Sequence, residues 1–145
     1  MDNEHPPRSE TRSAIDRLDQ LLHLSEDGRS LGQDWYLAAA DPDRVHEFCM
    51  LYEIGVLDED AKFALMQLMI ASLDELLEET PSSPDVRSVA ERVEGILNRD
   101  FLLHFYTIGY WRLHGEDDPE YQFKVTNIMR RVWDKNFMLE YKIWL

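Results

Sequence analysis

The chain has 145 residues, 44% hydrophobic and 30% charged, a balance that excludes a disordered segment and suits one globular domain burying about 70% of its unfolded surface. Fifteen Lys and Arg stand against 29 Asp and Glu, and the resulting formal charge of −14 repels nucleic-acid phosphates and anionic lipid. The lone cysteine, Cys49, excludes an internal disulfide, and no apolar run approaches the ~18 residues of a membrane span.

Residues 1–8 are polar, with Pro6 beside Pro7, and read as a disordered tail ahead of a single helical domain over 9–145. The same start lacks the basic and apolar regions of a signal peptide, so the expected location is the cytoplasm of a bacterium. From Ser13, the spacing of Ile15, Leu18, Leu21 and Leu22 predicts a first helix, broken by the polar run Ser25–Ser30. Trp35 to Ala40 make a short second helix. Asp41-Pro42 then opens a third, with Asp41 as cap, Pro42 at the first helical position and Asp43 at the positive end of the dipole. Its face is Val45, Phe48, Cys49 and Tyr52, which turns Cys49 inward, and Gly55 ends it.

Asp58 caps a fourth helix over about 59–79. Two apolar stripes, Phe63, Met66, Ile70, Leu73 and Leu77 with Leu65, Leu68, Met69 and Leu76, leave only a narrow polar strip, which predicts a helix buried on most sides. After Thr80-Pro-Ser-Ser-Pro84, the stripe Val86, Val89, Ala90, Val93 and Leu97 marks a fifth helix. A sixth is expected from Phe101 to Leu113. Asp118-Pro119 repeats the earlier opening and predicts a seventh, running to about Lys135 through Tyr121, Val125, Ile128, Met129 and Val132. The apolar residues 136–145 read as a short C-terminal arm, either extended or a continuation of that helix. No alternating segment has a partner strand and the one Asp-Gly joins helical patterns, so the expected fold is all-α: an irregular bundle of six to seven helices around the central one.

No pattern points to catalysis. Asp19 with His23, and Asp100 with His104, stand four residues apart, but two ligands make no zinc site and Glu-x-x-His is absent, so no metal and no cofactor are expected. Cys49 on an apolar face reads as a small core residue, and there is no nucleophile elbow, phosphate loop, Cys-x-x-Cys or HExxH. The expectation is a protein that is not an enzyme.

Charge distribution says more. Residues 41–80 carry eleven acids and two bases, whereas residues 81–145 carry ten and nine. Such clustering costs stability by self-repulsion, and its two readings are solubility and a binding face for a cationic protein. On the second reading Asp43, Glu47, Glu53, Asp58, Glu59 and Asp60 meet the partner's lysines and arginines, with Tyr52 as an aromatic anchor. This physical design is similar to that of immunity proteins that neutralise secreted nuclease toxins. No stretch matches a motif of such a family, so no residue role is carried over. The alternative is a small-molecule-binding or enzymatic domain with an aromatic pocket of Trp35, Tyr36, Tyr106, Tyr110, Trp111 and His104, against plain core packing. A third use, homodimerisation through the arm containing Phe137, Met138, Tyr141, Ile143, Trp144 and Leu145, competes with the arm folding back on its own domain.

Overall fold

A helix that is apolar around most of its circumference has to be surrounded, and the chain is arranged to do so. The structure, a computed structural model, describes residues 8–24 and 34–144, with side chains to residue 137. Among these residues there are seven α-helices and no strand: α1 (Arg12–Leu22), α2 (Trp35–Ala39), α3 (Val45–Glu53), α4 (Glu59–Glu79), α5 (Pro84–Arg99), α6 (Phe105–Trp111) and α7 (Thr126–Trp144). Single 3₁₀ turns stand at Pro42–Arg44 and Pro119–Tyr121. The expected tail, except Arg8, and the Ser25–Ser30 break lie outside the described residues.

The central helix is α4. Asp58 caps it by accepting from the Ala61 N–H at 2.8 Å, and Ala61, Phe63 to Met66 and Leu68 to Leu73 are all buried. α1, α2, α3, α5 and the first 3₁₀ turn pack around it, while α6 and α5 pack on α7. Polar threads stitch the outer elements to this hub: the Ser72 hydroxyl accepts the Asp41 N–H at 3.0 Å, and Asp74 accepts the Val125 N–H at 3.0 Å just ahead of α7. Burial raises the Asp74 carboxyl's pKa, an effect that the Val125 and Lys124 N–H groups only partly offset.

The structure corrects three of the expected helix boundaries. Asp41-Pro42 opens a 3₁₀ turn, and α3 begins after it at Val45. Asp118-Pro119 opens only one 3₁₀ turn, which stops at Tyr121, and α7 begins at Thr126. The reason is local: Gln122 is extended, and the buried Thr126 hydroxyl accepts from Phe123 N–H at 3.1 Å and donates to the Trp111 carbonyl at 2.9 Å. That link fixes where α7 starts. The sixth helix is also shorter than expected, because the His104 N–H is shared between the Asp100 and Phe101 carbonyls and residues 101–104 form turns. At the other end Leu113 is left-handed (φ 46°), and the Arg130 guanidinium collects the Arg112, Leu113 and Glu116 carbonyls at 2.6–2.8 Å. Residues 136–144 continue α7, so the arm is helical.

Candidate functional site

The α3–α4 elbow is built by alternation about a glycine. Tyr52 and Leu57 are buried, Gly55 takes φ +84°, and the residues between them are turned outward. Ile54 and Val56 are therefore 62% and 52% exposed, and Met50, one turn back on α3, is 50% exposed. These three apolar side chains sit within the acidic zone, and their position off the Val45–Phe48–Cys49–Tyr52 stripe is a sequence signal that the acid count overshadowed. Beside the elbow, Val56, Asp58, Asp60 and Ala61 face Thr11, Ser13, Ala14 and Arg17 of α1 across a groove of about 440 Å³.

The six acids expected to form one face are divided among several tasks. Glu47 holds Arg44 through both oxygens (2.8 and 2.9 Å), which lowers its pKa, and Arg44 also reaches the Leu22 carbonyl at 2.7 Å. Glu53 pairs with Arg92 at 2.9 Å and Arg99 at 3.8 Å on α5, Asp60 pairs with Arg8 at 3.5 Å, and Asp58 caps α4. Asp43 and Glu59 are exposed and form no ion pair among the described residues. Pairs at this level of exposure contribute less than about 1 kcal/mol, so an incoming cation can take the arginine's place on the carboxylate.

Tyr52 is not on this surface. It is 1% exposed, and its hydroxyl donates to Asp100 Oδ2 at 2.7 Å and lies 2.7 Å from His104 Nε2. Burial draws the Asp100 carboxyl up, but hydrogen bonds from Arg99 and Tyr52 and the Arg99 charge outweigh it and hold the group below its ordinary value. With Asp100 ionised, the single phenolic proton goes to the carboxylate, and the hydroxyl accepts from a neutral His104 protonated at Nε2. His104 is wholly buried, stacked on Phe63 with ring centroids 6.4 Å apart, and burial pushes its pKa down to about 3. Its Nδ1 has no partner. The Asp100–His104 spacing is thus used, with Tyr52 between the two side chains, as a core network. Asp19 accepts the Leu24 N–H at 2.9 Å beyond the end of α1, and His23 takes the left-handed cap position.

A second concavity lies between α2, α4 and α6. Tyr36, Tyr106, Tyr110 and Trp111, four of the six residues expected in an aromatic pocket, line a cleft of about 200 Å³ with Arg8, Phe63, Gln67 and Thr107. Trp35 and His104 are core residues instead. Arg8, Phe63 and Gln67 escaped the sequence reading because they come from the tail and from helix α4, whose relation to α6 is not encoded in spacing.

Cys49 is buried, and that burial raises its thiol pKa to about 11. Among the described residues no three His, Cys, Asp or Glu side chains converge as metal ligands, and no helix is long and apolar enough to cross a membrane. No protein-family model matches the chain, and comparisons with curated proteins and with solved structures find no match.

Proposed function

We propose that the chain is a protein–protein interaction module that takes a cationic partner on the α3–α4 elbow. The observation that carries this reading is the placing of Met50, Ile54 and Val56, each half exposed or more, among Glu47, Glu53, Asp58, Glu59 and Asp60. Apolar anchors flanked along the chain by replaceable carboxylates suit a partner whose contact segment carries aliphatic side chains flanked by Arg and Lys. The carboxylates accelerate encounter and the apolar trio slows dissociation. Val56 forms one lip of the groove between α1 and α4, which extends the surface to Asp58 and Asp60. Tyr52, being buried, supports the elbow from beneath rather than acting as an anchor. An inhibitor of the immunity type, which covers a basic toxin surface, is the form of this reading that the physical design favours; for such a protein the cytoplasm of a toxin-producing bacterium is the expected setting.

The test uses the intact chain as bait in lysate of its source cells, followed by binding kinetics with the captured protein. The expected partner is basic, its association rate falls steeply with salt, and Glu59→Lys slows association several-fold. Ile54→Ser with Val56→Ser raises the dissociation rate by about tenfold, the size of one modest hot spot. Kinetics insensitive to both sets of substitutions would place the partner elsewhere on the molecule.

A further inference from the structure

None of the elbow trio lines the cleft between α2, α4 and α6, which is joined to the elbow through the Arg8–Asp60 pair. Its chemistry is selective. From Phe101 to Trp111 the chain has no Asp, Glu, Lys or Arg, and Tyr106 and Tyr110 stand exposed one turn apart on α6, with Leu102 exposed just ahead of it. The rings of Tyr36, Tyr106 and Tyr110 therefore line the cleft with no charge of their own, and the buried Trp111 backs it. At the floor, Gln67 donates its amide N–H to Glu10 Oε2 at 3.0 Å, while Gln67 Oε1 is buried and has no partner. The amide cannot be turned round without setting oxygen against carboxylate, so a bare acceptor is left beside the cleft, with the Glu10 carboxylate next to it. Among the described residues the only cation lining the cleft is Arg8, whose guanidinium lies 5.8 Å from the centre of the Phe63 ring and pairs with Asp60 at 3.5 Å.

Two ligand classes deserve weighing, a carboxylate drawn by Arg8 and a cation drawn by the rings. The unpartnered amide oxygen, Glu10, the prior pairing of Arg8 with Asp60 and the chain's charge of −14 all oppose an anion. Each of them favours a donor-rich cation. A volume of about 200 Å³ is smaller than the ~300 Å³ at which drug-sized pockets begin, and suits a single side chain. Guanidinium fits best: it is planar, stacks on rings and offers five N–H donors to Gln67 Oε1 and Glu10. We infer that this cleft is a recognition site for an arginine side chain of a partner, and that Arg8 occupies its Phe63 edge in competition with that ligand.

The probe is N-acetyl-arginine amide, with its neutral isostere N-acetyl-citrulline amide as control, titrated into the full chain and followed by NMR of the tyrosine rings. The expected result is saturable shifts at Tyr36, Tyr106 and Tyr110 with the arginine probe and at least tenfold weaker binding of citrulline. Tyr110→Ala and Tyr106→Ala, both at exposed positions, should each weaken binding by about threefold, the size of one exposed cation–π contact. Arg8→Ala should tighten it. No shift at Tyr36, Tyr106 or Tyr110, equal binding of citrulline, or binding unaffected by the tyrosine substitutions would overturn the site. Unchanged or weaker binding in Arg8→Ala would overturn the competition, and saturable binding of benzoate lost in that variant would establish the anion reading in its place.

Discussion

His104 is kept neutral in the core by burial, although the ionised Asp100 lies within reach of the same Tyr52 hydroxyl. The consequence for stability has a definite sign. Unfolded, the imidazole titrates near its ordinary 6.5; folded, near 3, so between those values the unfolded chain holds one more proton. Stability contributed by neutral His104 is complete above the unfolded pKa and is lost as pH falls through it. Lowering the pH from 7 to 5 should therefore cost about 2 kcal/mol, at about 1.4 kcal/mol per unit of separation. Urea unfolding at both pH values measures the loss, and His104→Gln, which cannot titrate, should remove most of it while being less stable at pH 7. The neighbouring hydroxyl gives a second measurement. Tyr52→Phe keeps the ring but leaves the Asp100 carboxylate and His104 N–H short of a partner, and should destabilise by about 1–3 kcal/mol in the same assay. The Asp100–His104 spacing was visible in the sequence, but Tyr52 reaches it from 48 residues away, and no local pattern encodes that contact.

Among the elements, α7 shows how a local signal yields to a tertiary one. Asp118 accepts the Glu120 N–H at 3.0 Å and so caps a single exposed 3₁₀ turn, whereas Thr126 joins the end of α6 to the start of α7 from a buried position. Thr126→Val, which keeps the shape and removes the hydroxyl, should cost about 1–3 kcal/mol by leaving the Trp111 carbonyl unsatisfied. Asp118→Ala should cost less than about 1 kcal/mol, at the low end for a lost cap. Thermal denaturation of the two variants side by side decides between them; equal losses would mean that the Asp-Pro opening stabilises α7 after all. Helix α4 had no such competition. Its two apolar stripes left only one way to satisfy them, and Asp58 caps it through its own carboxylate. Truncating its middle, as in Leu68→Ala, should cost about 2–5 kcal/mol.

The charge belongs to the molecule as a whole. Several acids of residues 41–80 are already paired with arginines, but at −14 the remaining excess still repels itself over distances that salt can screen. Raising ionic strength from 0.01 to 0.15 M shortens the screening length from about 30 to about 8 Å, so long-range repulsion should fade before the close pairs weaken. The melting temperature should rise by about 2–4 °C, corresponding to about 1 kcal/mol for a domain of this size. Calorimetry in the two buffers reads it directly, and a fall would mean that the ion pairs outweigh the net charge.

Fold class, the central helix, the inward face of Cys49 and the uneven charge follow from the sequence alone, since each rests on periodicity or composition within one segment. The tertiary structure decided which acids remain available, that Tyr52 is a buried hydroxyl between Asp100 and His104, and that Arg8 and Gln67 join the tyrosines of α2 and α6 in one cleft. Those outcomes depend on which helix faces meet across the core. Spacing along a chain fixes the face of each helix but not its neighbour, and it is the neighbour that turns a surface carboxylate into half of an ion pair and a candidate anchor into a buried support.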